Sequence, residues 1–395
     1  MDHIKRVSNN MTRSSMESKD LEHLRQEISA ATDSILRLAK RRQDLATRVA
    51  QIKSSQGLPI EDLMVEGRLK EHVSEQTQKI GLDKKLALEI IQVLLDASKT
   101  AQRKKIFEDR ILSFLDSNKL RTISILGAGR MGGWFAGYFK RLGRKVILFD
   151  RRISFAKKRA KELGCEFAND IHTLAEESDL VLVAIPISKT SDEIRRLQDA
   201  LTRKGQENRC RVIIEMSSIK TKVLRPSFIS KVPIISIHPL FGESARYYAN
   251  NTIAVIISRE SKKDRLSLDF MKHLFPQFQV LGLRAEAHDK QMALMLSLPH
   301  ILALAFGNVA TRKSSFISDK RIVTPSYTTM KQFAAKTLSE DSDVYYEIQS
   351  INKFTPLVLQ QLEVSIETLR KYLEHGERHK FKKFFDATGR KIRTM

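Results

Sequence analysis

The segment Ser124–Phe139, with the sequence SILGAGRMGGWFAGYF, contains a glycine-rich turn between a strand-like apolar run and a helical pattern. In a dinucleotide-binding fold, the first glycine of such a turn permits the tight bend, and the second permits close approach of the pyrophosphate. The third lets the following helix pack closely on the strand, and the free N–H groups at the helix N-terminus bind phosphate. The sequence therefore predicts a Rossmann-type turn whose cofactor-binding residues are Gly127, Gly129, Arg130, Met131 and Gly132.

An acidic residue follows the second predicted strand. Asp150 lies 18 residues after Gly132. A carboxylate at this place hydrogen-bonds the ribose hydroxyls of the cofactor and disfavours a 2′-phosphate. Asp150 therefore favours NAD, whereas the adjacent Arg151 and Arg152 could help to hold NADP instead.

The chain around this turn alternates short β-branched runs with helical patterns. The runs TISILG, KVILFD, LVLVAIP, VIIEMSS, IISIHPL and TIAVIIS predict βαβ units and a largely parallel sheet, so residues 121–283 are expected to form an α/β domain. The third run ends at Ile185 and Pro186, and strand ends of this kind line the cofactor cleft. Residues 284–395 return to a helical pattern, which predicts an α-helical C-terminal domain.

Residues 19–106, ahead of the turn, have a helical pattern almost free of Gly and Pro. The first helix is expected to span about 35 residues because apolar residues recur every three or four positions. These recurring residues are Leu21, Leu24, Ile28, Ala31, Ile35, Leu38, Leu45, Val49 and Ile52. After a break at residues 57–59, a second helix is predicted over Asp62–Lys79 and a third from Asp83 to Phe107. A helix this long needs partners along its whole apolar face, so the pattern favours a dimer.

The remaining segments are predicted to lack regular structure. Residues 1–18 are polar and contain no apolar signal-peptide core, which favours a disordered tail, and residues 107–120 are expected to form a linker. The sequence contains no run of about 18 apolar residues, so no membrane-spanning segment is expected. Only Cys165 and Cys210 occur among 395 residues, which excludes a disulfide framework and favours a reducing, cytoplasmic environment.

The formal net charge of +23 admits three interpretations: a nucleic-acid-binding protein, a generally basic surface, or a preference for small anionic substrates. The basic residues are dispersed and mixed with acidic ones, and the chain has neither an RNP-like aromatic motif nor zinc-finger spacing. These features argue against nucleic acid as the partner.

Two polar segments follow neighbouring predicted strands. One contains Ser217-Ser218-Ile219-Lys220, and the other contains His238 in the sequence HPLFG. Side chains at successive strand ends can face one cleft, and histidine suits the removal of a hydroxyl proton during hydride transfer. A histidine packed before a proline for structural reasons is the alternative that spacing alone leaves open.

The segments GAGRMGGWF, SSIK, HPLFG and HDKQMALMLSLPH resemble prephenate dehydrogenases, and the N-terminal helical module resembles the all-α class of chorismate mutases. The order of the two parts resembles bifunctional enzymes of tyrosine biosynthesis. The resemblance implies conversion of chorismate to prephenate, followed by oxidative decarboxylation of prephenate to 4-hydroxyphenylpyruvate with NAD. It also implies an intertwined homodimer of the three-helix module, a dimerising C-terminal domain and no metal, and it suggests tyrosine as a feedback inhibitor.

The mutase resemblance assigns a role to seven residues of the helical module. It implies that Arg25 and Arg42 bind the substrate carboxylates, that Lys53 and Gln102 act at the ether oxygen, and that Asp62, Glu66 and Ser98 complete the site. A unimolecular rearrangement of a dianion needs positioning and charge stabilisation rather than a nucleophile or a metal. The family arginine just before Glu66 is Val65 here, so mutase activity is reduced or Arg68 compensates.

The spacing of these residues has a geometric consequence. Arg42 and Lys53 lie 11 residues apart, or about 1,100° of helical rotation, so they share one face. Arg25 precedes Lys53 by 28 residues, which corresponds to about 42 Å along a straight helix. Because one small ligand cannot span that distance, Arg25 is expected to serve the site of a partner subunit.

The dehydrogenase resemblance implies that His238 accepts the ring hydroxyl proton and that Ser218 lies beside this hydroxyl. His300 matches a histidine near the substrate pocket, with a packed helix histidine as its alternative, and His288 matches a residue of weaker functional standing. The family arginine for the side-chain carboxylate is Lys336 here, which retains the charge without the bidentate fork. Arogenate therefore stays open as a substrate. Because of Val65, a non-catalytic, dimerising or regulatory role for the helical module also stays open.

Overall fold

A computed structural model describes residues 2–56, 58–201, 209–223, 232–258, 261–319 and 321–394. The chain divides into two compact units, Met1–Ser113 and Phe114–Met395. The side chains of residues 2–19 and of Leu63 are outside the description. Each unit is considered by itself below.

The N-terminal unit is built from helices. They are α1 (Asp2–Ser55), α2 (Leu63–Ile80) and α3 (Lys84–Ser117). Asp62 caps α2 by accepting a hydrogen bond from Val65 N at 3.1 Å, and Gly81 ends the helix with a φ of +69°. Asp83 caps α3 through Leu86 N at 2.8 Å. The predicted three-helix architecture is confirmed.

Two helices of this unit are longer than the sequence predicts. The helix α1 has 54 residues and begins at Asp2, where a disordered tail over residues 1–18 is predicted. No Gly or Pro precedes residue 57, so nothing in the chemistry of the backbone ends the helix earlier. Likewise α3 continues to Ser117 through most of the predicted linker, and it stops where Lys119 adopts a φ of +56°.

The C-terminal unit contains an eight-stranded sheet in the order β3-β2-β1-β4-β5-β6-β7-β8. The strands are β1 (Thr122–Leu126), β2 (Lys145–Phe149), β3 (Glu166–Phe167), β4 (Leu180–Val183), β5 (Val212–Glu215), β6 (Ile234–Pro239), β7 (Thr252–Ile256) and β8 (Gln279–Leu283). Every described pair is parallel except β6 with β7. The order reverses between β1 and β4, which is where doubly wound sheets bind ligands.

Helices cover this sheet and form the rest of the unit. Those between the strands are α4 (Arg130–Arg141), α5 (Ile153–Leu163), α6 (Ile171–Glu177), α7 (Ile187–Leu201) and α8 (Lys262–Leu274). Those after β8 are α9 (Ala285–Met292), α10 (Leu298–Arg312), α11 (Pro325–Leu338), α12 (Ser342–Ile351), α13 (Thr355–Glu374) and α14 (Arg378–Thr394). A π-helical turn, Ala293–Ser297, joins α9 to α10. The predicted Rossmann-like domain and helical C-terminal domain are both confirmed.

The continuous helical run Ala285–Arg312 is long and apolar enough to cross a membrane by length and composition alone. The sequence was not expected to contain such a segment. Its first turns carry His288 and Asp289, which are fully buried inside the unit. Only 22% of its most apolar window is buried in the single chain, so much of this surface is available to another apolar surface.

Candidate active sites

The glycine turn between β1 and α4 has the shape that a dinucleotide requires. Gly127 has a φ of +108°, and a Cβ atom there would overlap the carbonyl oxygen of Ala184. A Cβ atom on Gly132 would overlap the carbonyl oxygen of Gly127. Gly129 differs, because a Cβ atom there would meet nothing within 4 Å. Protein atoms therefore fill the space next to Gly127 and Gly132, whereas the space next to Gly129, at the N-terminus of α4, is open. A pyrophosphate fits in this open space.

Asp150 lies immediately after β2 and is held against this turn. Its Oδ2 accepts a hydrogen bond from Ala128 N at 3.2 Å, and its Oδ1 accepts bonds from Arg152 N and Nε at 3.0 and 3.2 Å. The Arg152 guanidinium also lies over the Phe155 ring, 4.3 Å from its centroid. Asp150 thus presents a fixed carboxylate beside the turn, an arrangement that suits ribose hydroxyls.

Four other predicted cofactor residues surround the turn. Ile185 follows β4 and approaches Gly127, whereas the adjacent Pro186 is exposed. Met131 is half-buried in the first turn of α4. Arg130 donates to the carbonyl oxygen of Ser339 at 3.2 Å and lies 3.5 Å from a carboxylate oxygen of Glu243. Arg130 therefore links the turn to the end of α11 and to the loop that follows β6.

His238, on β6, begins a chain of three buried side chains. Its Nδ1 lies 2.9 Å from His288 Nε2, and His288 Nδ1 lies 2.9 Å from Asp289 Oδ1. Asp289 also accepts hydrogen bonds from the backbone N–H groups of Lys220 and Thr221, at 2.9 and 2.8 Å. The loop after β5 therefore fixes Asp289, which fixes His288, which fixes His238.

This chain determines which nitrogen of His238 can accept a proton. A carboxylate only accepts hydrogen bonds, so His288 donates to Asp289 from Nδ1. In that tautomer the Nε2 of His288 accepts a hydrogen bond from the Nδ1–H group of His238. Nε2 of His238 is left unprotonated, as a general base must be.

The protonation states agree with this assignment. Burial is the main cause that holds the pKa of His238 well below its usual 6.5, and the charge of Lys220 acts in the same direction. Burial opposes the ionisation of Asp289, but hydrogen bonds from His288, Thr221 and Lys220 outweigh it and leave the pKa of this carboxyl lowered. At neutral pH, His238 is therefore neutral and Asp289 is charged.

A buried ion pair contacts the strand that carries His238. Lys220 is fully buried, and its Nζ lies 3.0 Å from a carboxylate oxygen of Glu215 and also donates to the carbonyl oxygen of Ile237. Glu215 accepts a further hydrogen bond from Ser236 Oγ at 2.6 Å. Burial lowers the pKa of Lys220, and Glu215 acts in the opposite direction. The pair ties the end of β5 to the backbone that carries His238.

The structure gives the other predicted dehydrogenase residues different surroundings. Ser218 is half-buried after β5, between the buried residues Ser217 and Ile219. His300, on α10, has its Nδ1 3.3 Å from Gln349 Nε2 and its ring 4.0 Å from that of Tyr345, and burial lowers its pKa to about 4.

Lys336, on α11, is exposed, and the described part of the chain gives its side chain no ion pair or hydrogen bond. The described part of the chain therefore does not fix the Lys336 side chain, to which the resemblance assigns a substrate carboxylate.

The helical unit brings four of its predicted residues between α1, α2 and α3. Arg42 donates to Ser98 Oγ and to the carbonyl oxygen of Leu94, across from α1 to α3. Lys53 donates to the carbonyl oxygen of Ile60 at 2.8 Å. Gln102 lies one turn beyond Ser98, and its Oε1 is buried without a hydrogen-bond partner among the described residues. Gln102 therefore has a buried amide oxygen without a described partner, one helical turn from the contact between Arg42 and Ser98, which makes it a candidate ligand contact.

The remaining mutase residues divide into two groups. Glu66, on α2, pairs with Lys99 on α3 at 2.9 Å, and both are largely buried. Asp62 is exposed and caps α2. Arg25 is exposed on α1 and lies 3.6 Å from Glu22, with 65% of its side chain accessible, so its own chain does not bring it to the other residues.

Several residues at these sites were not identified from the sequence. They are Asp289, Lys220, Glu215 and Lys99. His288, to which the resemblance gave weaker standing, lies between His238 and Asp289. A signal existed for two of them, because Lys220 and Asp289 are charged residues within the motifs SSIK and HDKQM. Nothing in the sequence pairs Lys99 with Glu66, since the two lie 33 residues apart on different helices.

Comparison with known families divides the chain in the same way. The family of chorismate mutase type II matches residues 24–103, and the nucleotide-binding domain of prephenate dehydrogenase matches residues 135–280. The dimerization domain of prephenate dehydrogenase matches residues 284–387. The second match begins just after the glycine turn, so the assignment of that turn depends on its own geometry.

Individual relatives match different shares of the chain. A T-protein from Haemophilus influenzae is 22% identical over 91% of this chain and 89% of its own length. A probable arogenate/prephenate dehydrogenase from Methanocaldococcus jannaschii is 28% identical over 58% of this chain, and the match spans about half, 52%, of its own length. The solved structure of prephenate dehydrogenase from A. aeolicus, in complex with hydroxyphenyl propionate and NAD+, is 18% identical, covers 69% of this chain and 96% of its own, and has a TM-score of 0.53. At this identity the structural likeness concerns the fold.

Proposed function

We propose that this chain, which joins a type II chorismate mutase domain to the two domains of a prephenate dehydrogenase, is a bifunctional enzyme of tyrosine biosynthesis. Its helical unit rearranges chorismate to prephenate. Its second unit oxidises and decarboxylates prephenate to 4-hydroxyphenylpyruvate with NAD. The observation that carries the proposal is the presence of both sets of polar side chains, each gathered within its own unit.

For the mutase step, the chain supplies cations and one amide. Arg42 binds a carboxylate of the dianion, and Lys53 and Gln102 donate to the ether oxygen, on which negative charge builds as the C–O bond breaks. The Oε1 of Gln102 is buried and has no hydrogen-bond partner among the described residues, and the amide nitrogen of the same side chain is the group that would donate to the ether oxygen. Catalysis then follows from holding a compact conformer and stabilising its charge, without a covalent step.

For the dehydrogenase step, His238 Nε2 removes the proton of the ring hydroxyl while the ring carbon that bears this hydroxyl loses a hydride. When bound, NAD supplies the acceptor for that hydride. The resulting ring ketone loses carbon dioxide, and the electron pair of the broken bond makes the ring aromatic and its oxygen anionic. His238 returns its proton to this oxygen, with Ser218 beside it, and is neutral again for the next turnover.

The turn and Asp150 fit NAD better than NADP. The open space at Gly129 and the N-terminus of α4 accept the pyrophosphate, and the fixed Asp150 carboxylate accepts the ribose hydroxyls. A 2′-phosphate would be repelled by this carboxylate. Arg152, which could offset the repulsion, instead pairs with Asp150 and lies over Phe155.

Prephenate is the proposed substrate, and Lys336 is the proposed contact for its side-chain carboxylate. A lysine provides one point charge where an arginine provides two parallel donors, so binding is expected to be weaker. Arogenate carries an added ammonium group near this carboxylate, and the positive charge of Lys336 would repel that group. Parallel assays with the two compounds measure this preference.

A homodimer completes the proposed enzyme. The recurring apolar residues of α1, except Ala31, are between 42% and 67% exposed, and Leu304 and Val309 on α10 are 59% and 64% exposed. Surfaces of this kind mark protein interfaces. A second copy of the chain would cover the exposed apolar faces of α1 and α10. It would also bring its Arg25 to the mutase site of the first copy.

The proposed enzyme works in the cytoplasm, in agreement with its two free cysteines. Tyrosine, the end product of the pathway, is the proposed feedback inhibitor. Adding tyrosine to the assay described below tests this proposal directly.

The test of the bifunctional assignment separates the two activities by mutation. Lys53→Ala should abolish chorismate consumption and leave the oxidation of added prephenate unchanged, because the two sites share no residue. His238→Asn should lower NADH production by about a hundredfold or more, as loss of a general base does, and leave chorismate consumption unchanged.

NADH absorbance and the loss of chorismate are followed on the same samples of the full chain. If either variant lowers both activities equally while it stays folded, the assignment of two sites is wrong. If the unmodified chain oxidises prephenate but does not consume chorismate, the alternative holds, and the helical module is a dimerising or regulatory element.

A further inference from the structure

The corner between α11 and α12 contacts both sides of the cofactor crevice. The strand order runs outward in opposite directions from β1 and β4, so right-handed crossovers place α4 and α7 on opposite faces of the sheet. The N-termini of these helices therefore flank the crevice in which a doubly wound sheet binds its ligand. Arg130, at the start of α4, donates to the carbonyl oxygen of Ser339, and Ser188, in the first turn of α7, contacts Glu347.

The contact on the α7 side consists of two hydrogen bonds to one carboxylate. The backbone N–H of Ser188 lies 3.3 Å from Glu347 Oε2, and Ser188 Oγ donates to Glu347 Oε1. The N–H groups in the first turn of a helix have no partner within that helix, so Glu347 satisfies one of them from 159 residues away. No Lys or Arg side chain among the described residues pairs with Glu347, and its carboxylate faces the positive end of the α7 dipole.

We propose that Glu347 is a positioning residue, which holds the α7 side of the cofactor crevice against the α11–α12 corner and thereby sets the affinity for the dinucleotide. It acts through Ser188, which closely follows Ile185 and Pro186, the crevice residues at the end of β4. The inference rests on the proposed NAD-dependent dehydrogenase, to which it adds a residue that acts on the cofactor site through another.

The packing beside this contact shows why a polar anchor is needed. Ile348, the neighbour of Glu347, is 4% exposed and belongs to a buried apolar cluster with Ile187, Ile219 and Val223. This cluster joins α12 to the start of α7 and to the loop after β5. Apolar contacts are not directional, whereas two hydrogen bonds to one carboxylate fix an orientation. Glu347 therefore orients the first turn of α7, which the cluster alone only holds nearby.

The far end of α12 is attached to the histidine chain. Asn352, which ends this helix, is 1% exposed, and its Nδ2 donates to the carbonyl oxygen of Asp289 at 2.7 Å. Asp289 is the last member of the chain that orients His238. Because this attachment does not involve Glu347, loss of Glu347 should release the α7 side and leave the proposed base in place. Cofactor affinity should therefore change more than the rate of the chemical step.

The test measures NADH binding and turnover with the full chain. Glu347→Ala should weaken NADH binding about tenfold and raise the KM for NAD by the same factor. The kcat and the KM for prephenate should each change by less than about threefold, because an interaction lost equally from the ground and transition states alters binding alone. Energy transfer to NADH from Trp134, the single tryptophan of the chain, on α4, reports binding without turnover.

Two controls separate this effect from general damage. Glu367→Ala removes a carboxylate from an ion pair with Arg370 on α13, in the same helical domain, and should leave NADH affinity unchanged. The melting temperature of the Glu347→Ala chain without cofactor should fall by no more than about 4 °C, which shows that the fold is intact.

A double variant tests whether Glu347 acts through Ser188. Ser188→Ala removes the hydroxyl and keeps the backbone N–H, so NADH binding should weaken by only about threefold. Adding Ser188→Ala to Glu347→Ala should cause no further loss, because the hydroxyl has no carboxylate left to bind.

Three outcomes overturn the inference. They are an unchanged NADH affinity in Glu347→Ala, an equal loss in Glu367→Ala, and a loss in the double variant that equals the product of the two single losses. In all three cases the unmodified chain still binds NADH and oxidises prephenate, and the proposed function stands. Failure of the unmodified chain to bind NADH would instead remove the dehydrogenase function, and this inference with it.

Discussion

The protonation state of His238 is set by residues that are distant from it in sequence. His288 and Asp289 lie 50 and 51 residues later, yet they form a continuous chain of buried contacts with its Nδ1. Asp289 is in turn held by two backbone N–H groups of the loop after β5. The proposed base is therefore oriented by three segments of one unit, as catalytic histidines are when a carboxylate fixes their tautomer.

Asp289→Asn tests this orientation. An asparagine keeps the size of the side chain but can present an N–H group to His288, which reverses the direction of the hydrogen bonds. His238 would then carry its proton on Nε2, where it cannot accept one from the substrate. The kcat for prephenate oxidation should fall by about a hundredfold or more, measured as NADH formation at saturating substrate.

The pH dependence of the unmodified chain provides the control. A base whose pKa is depressed stays neutral as the pH falls through 6.5, so kcat/KM should remain level there and decrease only at lower pH. Protonation of a buried neutral histidine also opposes folding, so stability should decline as the pH falls below 6.5. An acid limb of kcat/KM at or above pH 6.5, or an unchanged kcat in Asp289→Asn, would contradict the assignment.

At the scale of the element, the glycines of the turn between β1 and α4 are required for two different reasons: close packing of the protein and space for a ligand. Gly127 and Gly132 are glycines because the protein itself fills the space where a Cβ atom would lie. Gly129 borders open space, so its lack of a side chain leaves room for the proposed pyrophosphate. The motif therefore contains two glycines that the fold requires and one that we assign to the cofactor.

A pair of alanine variants separates these needs. Gly132→Ala should destabilise the fold by about 2 kcal/mol or more, because the new methyl group overlaps a carbonyl oxygen that cannot move away freely. Gly129→Ala should leave the stability unchanged within about 0.5 kcal/mol. Its KM for NAD should rise about tenfold, since the methyl group occupies the pyrophosphate position.

Thermal unfolding without cofactor measures the first effect, and NAD titration of prephenate oxidation measures the second. Equal losses of stability in the two variants would show that Gly129 is also a structural glycine. An unchanged KM for NAD in Gly129→Ala would place the pyrophosphate elsewhere.

At the scale of the whole molecule, the proposed mutase site is not completed by one chain. The helix α1 is continuous over 54 residues, so the distance between Arg25 and Lys53 follows from its rise and is about 42 Å. No rearrangement of side chains overcomes that separation. If both residues act on one substrate molecule, they come from two copies, and the exposed apolar face of α1 is the surface that joins them.

Complementation between two inactive chains tests this arrangement. Arg25→Ala and Lys53→Ala should each abolish mutase activity alone. When the two are co-expressed, half of the dimers are mixed, and one of the two sites in each mixed dimer carries neither substitution. About a quarter of the original activity should therefore return.

The mass in solution should be twice the 45.2 kDa of one chain. If co-expression restores no activity although mixed dimers form, Arg25 acts in its own chain or not at all. Co-expression of Arg42→Ala with Lys53→Ala is the matched control, and it should restore nothing because both residues serve the same site from one chain.

The periodicity and glycine spacing of this chain determined its architecture without reference to a structure. Apolar residues at helical spacing specified the N-terminal module, and β-branched runs on either side of Gly127 specified the parallel sheet, because both patterns depend only on near neighbours in sequence. The ends of α1 and α3 were predicted less well. Their residues contain no Gly or Pro to stop them, so the helices continue until the backbone turns.

The tertiary structure alone decided which polar residues act together. Lys99 meets Glu66, and His238 meets His288 and Asp289, only because separate helices and strands are packed side by side. Lys336 shows the converse, since a residue assigned by its place in a motif contacts none of the predicted partners within the described chain. Sequence spacing fixes direction within one element, whereas distances between elements follow from the packing of apolar faces, which no local pattern encodes.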